Sequence, residues 1–215
     1  LTGTTVPEQA DCIDAPGNNN KKKRNPKHPT LRFASWNVRT MTPGLNEDLT
    51  KIDDSRKTAV IDSELERLNI DLAALQETRL PGNGSLKEKS YTFFWQGTDP
   101  EERREYGVGF AIKNSFLHSV EHQTNGTERL LHLRLHTDAG TMNIISAYAP
   151  TLTSSPECKD AFYDDLELTI SNLPNTEQLL ILGDFNARVG ATHEDWPSCL
   201  GHFGVGRLNE NGQRL

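Results

Sequence analysis

The chain has 215 residues, of which 34% are hydrophobic, 30 are acidic and 23 are basic, for a formal net charge of -7. This composition excludes a fully disordered chain, and no apolar run approaches the stretch of about 20 residues that a membrane-spanning helix needs. The scattered Cys12, Cys158 and Cys199 have neither zinc-site nor disulfide-framework spacing, which indicates a reducing, intracellular compartment. The length suits one domain of ordinary size.

Residues 1–30 contain almost no large apolar side chains. Such a segment cannot bury enough surface to offset the conformational entropy lost on ordering, so we predict a disordered leader. The basic run Lys21–Arg24 within it has three interpretations: a solvated patch, a nuclear import signal or a phosphate-binding arm. Nuclear residence is therefore a further hypothesis beside the predicted intracellular location.

Seven segments of the remaining chain have a strand-like pattern. They span residues 31–38, 70–76, 91–95, 106–112, 129–136, 141–148 and 178–182. Asp138-Ala139-Gly140 is predicted to form a hairpin turn, which makes the two strands around it antiparallel. Pro81–Gly84 is predicted to be a break in the chain. The antiparallel pair excludes a simple parallel Rossmann sheet.

Two segments between these strands have helix signals. Residues 55–68 carry apolar side chains at i, i+4 and i+7, with Asp53 or Asp54 available as the N-cap. A second helix is predicted to begin at a capping box formed by Ser154 and Glu157. Strands and helices in this order predict a mixed α/β domain with helices packed on the faces of a sheet.

Polar or ionisable residues stand where four of the predicted strands end. They are Asn37, Glu77, Tyr148, and Asp184 together with Asn186. A single acidic residue at such a point is ordinarily a turn former or a helix cap. Four strand exits of this kind in one chain are not explained by packing, and they predict a shared functional rim.

These residue types suit a metal-dependent phosphoester hydrolase. Glu77 and Asn37 can supply the carboxylate and amide oxygens that Mg2+ prefers. Asp184 can orient or activate the attacking water. Asn186 and Tyr148 can donate hydrogen bonds to phosphoryl oxygens as charge builds on them.

Five ordered motifs carry a family resemblance. They are Ser-Trp-Asn-Val-Arg at 35–39, Leu-Gln-Glu-Thr-Arg at 75–79, Gly-Val-Gly-Phe-Ala at 107–111, Ser-Ala-Tyr-Ala-Pro at 146–150 and Leu-Gly-Asp-Phe-Asn at 182–186. Their order resembles the endonuclease/exonuclease/phosphatase superfamily over residues 31–215. Within it, they are most similar to the endonuclease domains of LINE-type retrotransposons and the craniofacial development protein 2-like proteins derived from them.

The resemblance implies an α/β (α+β) fold built as a four-layered sandwich, in which two mixed sheets are flanked by helices. It implies Mg2+ as the cofactor, with Mn2+ as an alternative. Glu77 resembles the principal metal carboxylate, with Asn37 beside it, and Tyr148 a phosphate contact. Asp184 resembles the residue that positions the attacking water, and Asn186 a neighbouring phosphate or metal contact.

Further substrate contacts are predicted at Arg39 and, in a tail with the same subgroup's pattern, at Asn209 and Asn211. Many members of the superfamily have an acidic residue where this chain has Arg39, so metal binding is expected to depend more on Glu77. A wider basic rim is also conceivable. It comprises Arg39, Arg79, Arg103, Arg104 and Lys113, for which ordinary solubilising charge is the equal alternative.

The superfamily closes with a Ser-Asp-His motif, and this sequence contains no Asp-His pair. His193 and His202 come too early in the order to match it. We therefore expect a domain that is incomplete at its C-terminus, and a chain that is nearly inactive alone. Loss of one such electrostatic partner typically costs on the order of 10²–10³ in rate.

Three functions remain open. The first is a Mg2+-dependent DNA endonuclease. The second is a phosphatase or phosphodiesterase for small or lipid phosphate esters, and the third is a non-catalytic binding protein of retrotransposon origin. Residues 31–215 hold 18 basic against 27 acidic residues, which argues mildly against tight, non-specific DNA binding. DNA is the predicted partner, with no membrane and no obligate protein partner.

Overall fold

The structure, a computed structural model, describes residues 30–42, 56–122 and 126–215. Except for Thr30, the predicted leader and its Lys21–Arg24 run lie outside these residues. The strands are β1 (Phe33–Asn37), β2 (Leu72–Gln76), β3 (Asn83–Lys87), β4 (Tyr91–Gln96), β5 (Val108–Lys113), β6 (Val120–His122), β7 (Leu130–Thr137), β8 (Gly140–Tyr148) and β9 (Gln178–Asp184). The α-helices are α1 (Lys57–Arg67), α2 (Pro156–Ser171) and α3 (Glu210–Arg214).

The strands form two mixed sheets. One sheet has five strands in the order β1-β2-β5-β4-β3, and the other has four in the order β6-β7-β8-β9. β1 and β2 are parallel, as are β8 and β9, while the other neighbours are antiparallel. The predicted hairpin between β7 and β8 is confirmed.

Three apolar clusters hold four layers together. Between the sheets, the buried side chains include Leu72, Phe110, Leu133 and Ile144. α1 covers the outer face of the five-stranded sheet with Ile61 and Leu65. α2 covers the outer face of the four-stranded sheet with Phe162 and Leu166. Burying each large apolar side chain contributes about 1.5–3 kcal/mol, and the predicted sandwich of two mixed sheets flanked by helices is confirmed.

Both predicted helix starts were wrong. α1 follows Arg56, which makes no side-chain capping hydrogen bond, and Asp53 and Asp54 lie outside the described residues. α2 is capped by Ser155 and not by Ser154: the Cys158 amide donates to Ser155 Oγ at 3.3 Å. Pro156 explains the shift, because its fixed φ favours the first helical position and makes the preceding residue the cap.

One strand forms where a chain break was predicted. β3 begins inside the Pro81–Gly84 segment and pairs with β4. Gly84 allows this pairing, since a Cβ at that position would lie 2.4 Å from Cζ2 of Trp95. The short β6 was not predicted either. Within the described residues, no helix has the length and apolar character that crossing a membrane requires.

Candidate active site

The ends of four strands meet at one edge of the sandwich. In the five-stranded sheet, β1 and β2 run parallel with Asn37 opposite Gln76. In the four-stranded sheet, β8 and β9 run parallel with Tyr148 opposite Asp184. Because parallel neighbours end on the same side and β1 faces β9 across the sandwich, all four carboxyl ends converge.

The converging side chains form one hydrogen-bonded cluster. Asn37 Nδ2 donates to Glu77 Oε1 at 2.8 Å and to Asp184 Oδ2 at 3.0 Å. Tyr148 Oη donates to Glu77 Oε1 at 3.0 Å. Both sheets therefore contribute to a single group of two carboxylates, one amide and one phenol.

Two further residues fix the carboxylates. The Asn186 amide N–H donates to Asp184 Oδ1 at 2.9 Å, and its side-chain Nδ2 donates to the Ala149 carbonyl at 2.8 Å. Arg79 Nη2 donates to Glu77 Oε2 at 3.1 Å. Asn186 thus reaches the cluster through its backbone, while its side chain ties the loop after β9 to the end of β8.

The environment sets the charge state of Glu77 and Tyr148. Burial alone would raise the pKa of Glu77, but hydrogen bonds from Asn37, Tyr148 and Arg79 outweigh it and lower that pKa. Burial, followed by the hydrogen bond to Glu77, raises the pKa of Tyr148 far above neutrality. At neutral pH the site therefore presents an ionised carboxylate beside a protonated phenol.

A sequence model of the Endonuclease/Exonuclease/phosphatase family matches residues 34–208, which is most of the chain and includes all five motif segments. The chain belongs to this family. The predicted resemblance is thereby confirmed, and the strand-end cluster lies within the matched residues.

The relatives include a transposon protein. Craniofacial development protein 2 of Bos taurus is 30% identical over 183 residues, which are 85% of this chain and 28% of that protein. Transposon TX1 uncharacterized 149 kDa protein of Xenopus laevis is 36% identical over 140 residues, 63% of this chain and 10% of that protein. The chain therefore spans little more than a quarter of the length of the first of these family members.

A solved structure supports the family's architecture. The endonuclease domain of TRAS1, a telomere-specific non-LTR retrotransposon, matches with a TM-score of 0.51 and 15% identity, over 86% of this chain and 69% of that chain. At that identity the likeness concerns the fold, and it agrees with two mixed sheets packed between helices.

Strained backbone concentrates at the family's motif residues. Among the described residues, five of the six non-glycine residues with positive φ follow the ends of β1, β2 and β9: Arg39 (56°), Thr40 (140°), Glu77 (54°), Arg79 (54°) and Asn186 (47°). The sixth, Asn69, follows α1. Such conformations cost about 1–3 kcal/mol each and tend to cluster at functional sites. At Glu77 the positive φ ends the alternation of the strand, so that Gln76 and Glu77 both reach residues of β1 and β8.

A polar layer beneath the cluster was not predicted. Gln76 is 1% exposed, and it accepts from Ser35 Oγ at 3.1 Å and donates to Ser146 Oγ at 3.3 Å. The three side chains bridge the two sheets directly under the site. The sequence did contain a signal for this layer. Ser35 and Ser146 each stand two positions before a site residue, Asn37 and Tyr148, and residues two apart on a strand lie on the same face.

The donor set suits a hard divalent cation such as Mg2+ or Mn2+. Glu77 and Asp184 offer carboxylate oxygens and Asn37 an amide, which are the oxygen ligands such ions take, with waters in the remaining positions. Asn37 Oδ1 accepts from the Arg39 amide at 3.0 Å and keeps a second lone pair that a cation can use. The residue types therefore fit such an ion.

The predicted substrate contacts occupy different positions. Arg39 is exposed beside Asn37. Asn209 Oδ1 accepts from the backbone amides of Gly212 and Arg188, at 2.8 and 3.0 Å, and caps α3. Asn211 is 2% exposed, and its Nδ2 donates to the carbonyls of residues 150 and 186 at 3.0 and 3.1 Å. Asn211 therefore braces the loops that follow β8 and β9.

The predicted basic rim does not form as a whole. β5 is antiparallel to β2, so Lys113 lies at the opposite end of the sheet, where its amide donates to the Asp71 carbonyl at 3.0 Å. Arg103 pairs with Glu105 at 3.0 Å. Of this set, Arg39 and Arg79 follow the strand ends that form the cluster.

Proposed function

We propose that this chain carries the active site of a Mg2+-dependent phosphodiesterase, and that its substrate is DNA, cleaved internally as by a retrotransposon endonuclease. The observation that carries the proposal is the meeting of Asn37, Glu77, Tyr148 and Asp184 from four strand ends in one hydrogen-bonded cluster. Membership of the family supports phosphoester hydrolysis as the chemistry. The names of the TRAS1 and TX1 relatives favour DNA over other phosphoesters.

Each residue has a role in hydrolysis. Glu77 and Asn37 would hold the cation, which when bound supplies positive charge beside the phosphodiester. Asp184 is fixed at both oxygens, by Asn37 Nδ2 and by the Asn186 amide. It can orient a water and take its proton as the water oxygen attacks phosphorus and the bond to the leaving sugar oxygen breaks. The protonated Tyr148 can donate to a phosphoryl oxygen.

Metal binding by the 215-residue chain tests the site. We expect Mn2+ binding, measured by titration calorimetry, to weaken at least about tenfold in Glu77→Gln, because even the outer partners of metal ligands contribute that much. Glu121→Gln is the matched control, since Glu121 pairs with Arg134 and His136 away from the cluster. Equal Mn2+ affinity in Glu77→Gln and the wild type would overturn the proposed site.

Cleavage of supercoiled plasmid tests the activity. Because the sequence lacks an Asp-His pair, we propose that this chain alone cleaves the plasmid at most slowly. The cleavage should depend on Mg2+, and Asp184→Ala should show no cleavage. Robust cleavage that Asp184→Ala abolishes would support the endonuclease and refute the expected weakness of the chain. Cleavage that survives Asp184→Ala would contradict the role given to this carboxylate.

A second candidate, hydrolysis of small or lipid phosphate esters, is favoured by the excess of 27 acidic over 18 basic residues in 31–215. Lys113 lies at the far end of the sheet, so one basic side chain fewer is near the cluster to contact DNA phosphates. Release of phosphate from phosphoinositides without plasmid cleavage would select it. Metal binding without either activity would favour the non-catalytic alternative. Nuclear residence stays a prediction that rests on Lys21–Arg24.

A further inference from the structure

Arg129 is a buried cation next to the active site. It directly precedes β7, is 9% exposed, and forms no ion pair within 4.0 Å among the described residues. Removing an unpaired charge from water costs several kcal/mol, by an order-of-magnitude estimate. By contrast, Arg134 on the same strand pairs with Glu121 and Glu177. The burial of Arg129 without an acidic partner therefore needs an explanation, whereas Arg134 has two such partners.

Two tyrosines take the place of an acidic partner. The Arg129 guanidinium lies 4.0 Å from the centroid of the Tyr106 ring and 5.7 Å from that of Tyr148. Its Nη1 donates to the Tyr148 carbonyl at 3.2 Å, and its own carbonyl accepts from the Tyr148 amide at 2.8 Å. Cation–π contacts of this kind stabilise a desolvated guanidinium by about 2 kcal/mol, and they hold both rings in place.

Each tyrosine leads to a different oxygen of Glu77. Tyr148 Oη donates to Oε1 at 3.0 Å. The Tyr106 carbonyl accepts from the Arg79 amide at 2.9 Å, and Arg79 Nη2 donates to Oε2 at 3.1 Å. Two chains of contacts thus run from Arg129 to the carboxylate, one through Tyr148 and one through Tyr106 and Arg79.

From these contacts we propose that Arg129 is a positioning residue, which clamps Tyr106 and Tyr148 so that both oxygens of Glu77 are held in the geometry that a cation requires. The inference deepens the proposed function, because it concerns the same metal site. Arg129 itself touches neither Glu77 nor Asp184, and it acts through the tyrosines. Outer partners that orient a metal ligand typically contribute 10–100-fold, in order of magnitude, to metal affinity.

Mn2+ affinity distinguishes positioning from simple charge. A nearby positive charge opposes cation binding, so if Arg129 acted through charge alone, Arg129→Met would bind Mn2+ more tightly and Arg129→Lys would bind as the wild type does. Positioning predicts the opposite sign. We expect both variants to bind about tenfold or more weakly by titration calorimetry, because lysine lacks the planar group that stacks on Tyr106.

Arg134→Met is the matched control, because it removes an arginine from the same strand on the face turned away from the site. It is expected to leave Mn2+ affinity unchanged. Thermal unfolding of every variant, followed by circular dichroism, checks that the fold is retained. Wild-type or tighter Mn2+ affinity in Arg129→Met would overturn the inference.

A metal-free readout separates this inference from the proposed function. In a crystal structure of Arg129→Met, we expect the separation between Tyr148 Oη and Glu77 Oε1 to exceed hydrogen-bond distance, about 3.5 Å. If it stays at the wild-type 3.0 Å, the positioning role is refuted whether or not the chain binds metal. If the separation lengthens while the wild type binds no Mn2+, the positioning role stands and the proposed function fails.

Discussion

Two strands deliver the carboxylates of the candidate active site, and the fold surrounds these strands differently. β2 lies inside its sheet between β1 and β5, and every residue from Leu72 to Gln76 is buried. β9 lies at the end of its sheet, where Gln178 and Leu179 are exposed and the remaining five residues are half-buried. Glu77 follows the first strand directly, and Asp184 ends the second.

An apolar run in the sequence does not by itself determine how deeply a strand is buried. Both strands were predicted from apolar runs. β2 is enclosed by neighbouring strands, α1 and the opposite sheet, whereas β9 pairs with β8 and with no other strand among the described residues. Glu77 accepts hydrogen bonds from Tyr148, which is buried, from Asn37, which is half-buried, and from Arg79, which is exposed. Asp184 depends on Asn37 from the other sheet and on the loop at Asn186.

The largest expected effect on the free energy of unfolding comes from replacing one leucine in each of the two strands. Leu75 is 1% exposed, whereas Leu180 is half-buried. We expect Leu75→Ala to lower the free energy of unfolding by about 3–4 kcal/mol and Leu180→Ala by about 1–2 kcal/mol, because the cost grows with the cavity left behind. Urea denaturation of both variants measures the difference. Equal losses would contradict the claim that β9 is the less enclosed strand.

Strand ends and their polar residues were predictable because both are local features of the sequence. An apolar run followed directly by Glu77, or ending at Asp184, identifies the strand and its exit together. β3 was missed because Asn83–Lys87 is polar and is held as a strand by β4, with Gly84 lying against Trp95. Its structure is decided by a partner that the local pattern does not reveal.

The supporting residues of the site could not be predicted for a similar reason. Gln76 and Ser146 meet only because two sheets pack face to face, and Gln76 looked like the end of an apolar strand. Arg129 looked like an ordinary strand residue until Tyr106 and Tyr148 were placed around it. Lys113 was placed wrongly in the basic rim because the direction of β5 depends on its pairing with β2.

A smaller effect concerns the pH dependence of stability in metal-free protein. The folded-state pKa of Glu77 is lowered, because hydrogen bonds from Asn37, Tyr148 and Arg79 outweigh the burial that would raise it. Its contribution to stability is therefore present above the ordinary carboxylate pKa and is lost as the pH falls through the lowered value. We expect Glu77→Gln to lose less stability than the wild type between neutral pH and that acidic range.

Urea denaturation at a series of pH values measures this difference. Tyr148→Phe removes one of the three hydrogen bonds and keeps the ring, so its pH dependence should lie between those of the wild type and Glu77→Gln. The same acid loss in Glu77→Gln and the wild type would mean that the hydrogen bonds from Asn37, Tyr148 and Arg79 do not stabilise the ionised carboxylate.

The smallest effect on stability concerns the edge of β9 that pairs with no strand among the described residues. An exposed edge strand offers unpaired backbone groups to a second copy of the chain, and a lysine on such a strand opposes that pairing. Leu179 is 42% exposed, so Leu179→Lys should change the free energy of unfolding by less than about 0.5 kcal/mol. Self-association, followed by sedimentation velocity over a concentration series, should nevertheless decrease.

Leu168→Lys on α2, at a residue 60% exposed, is the matched control and should leave association unchanged. A wild-type chain that stays monomeric at every concentration would show that the edge of β9 is protected from pairing. In that respect β9 would not differ from β2.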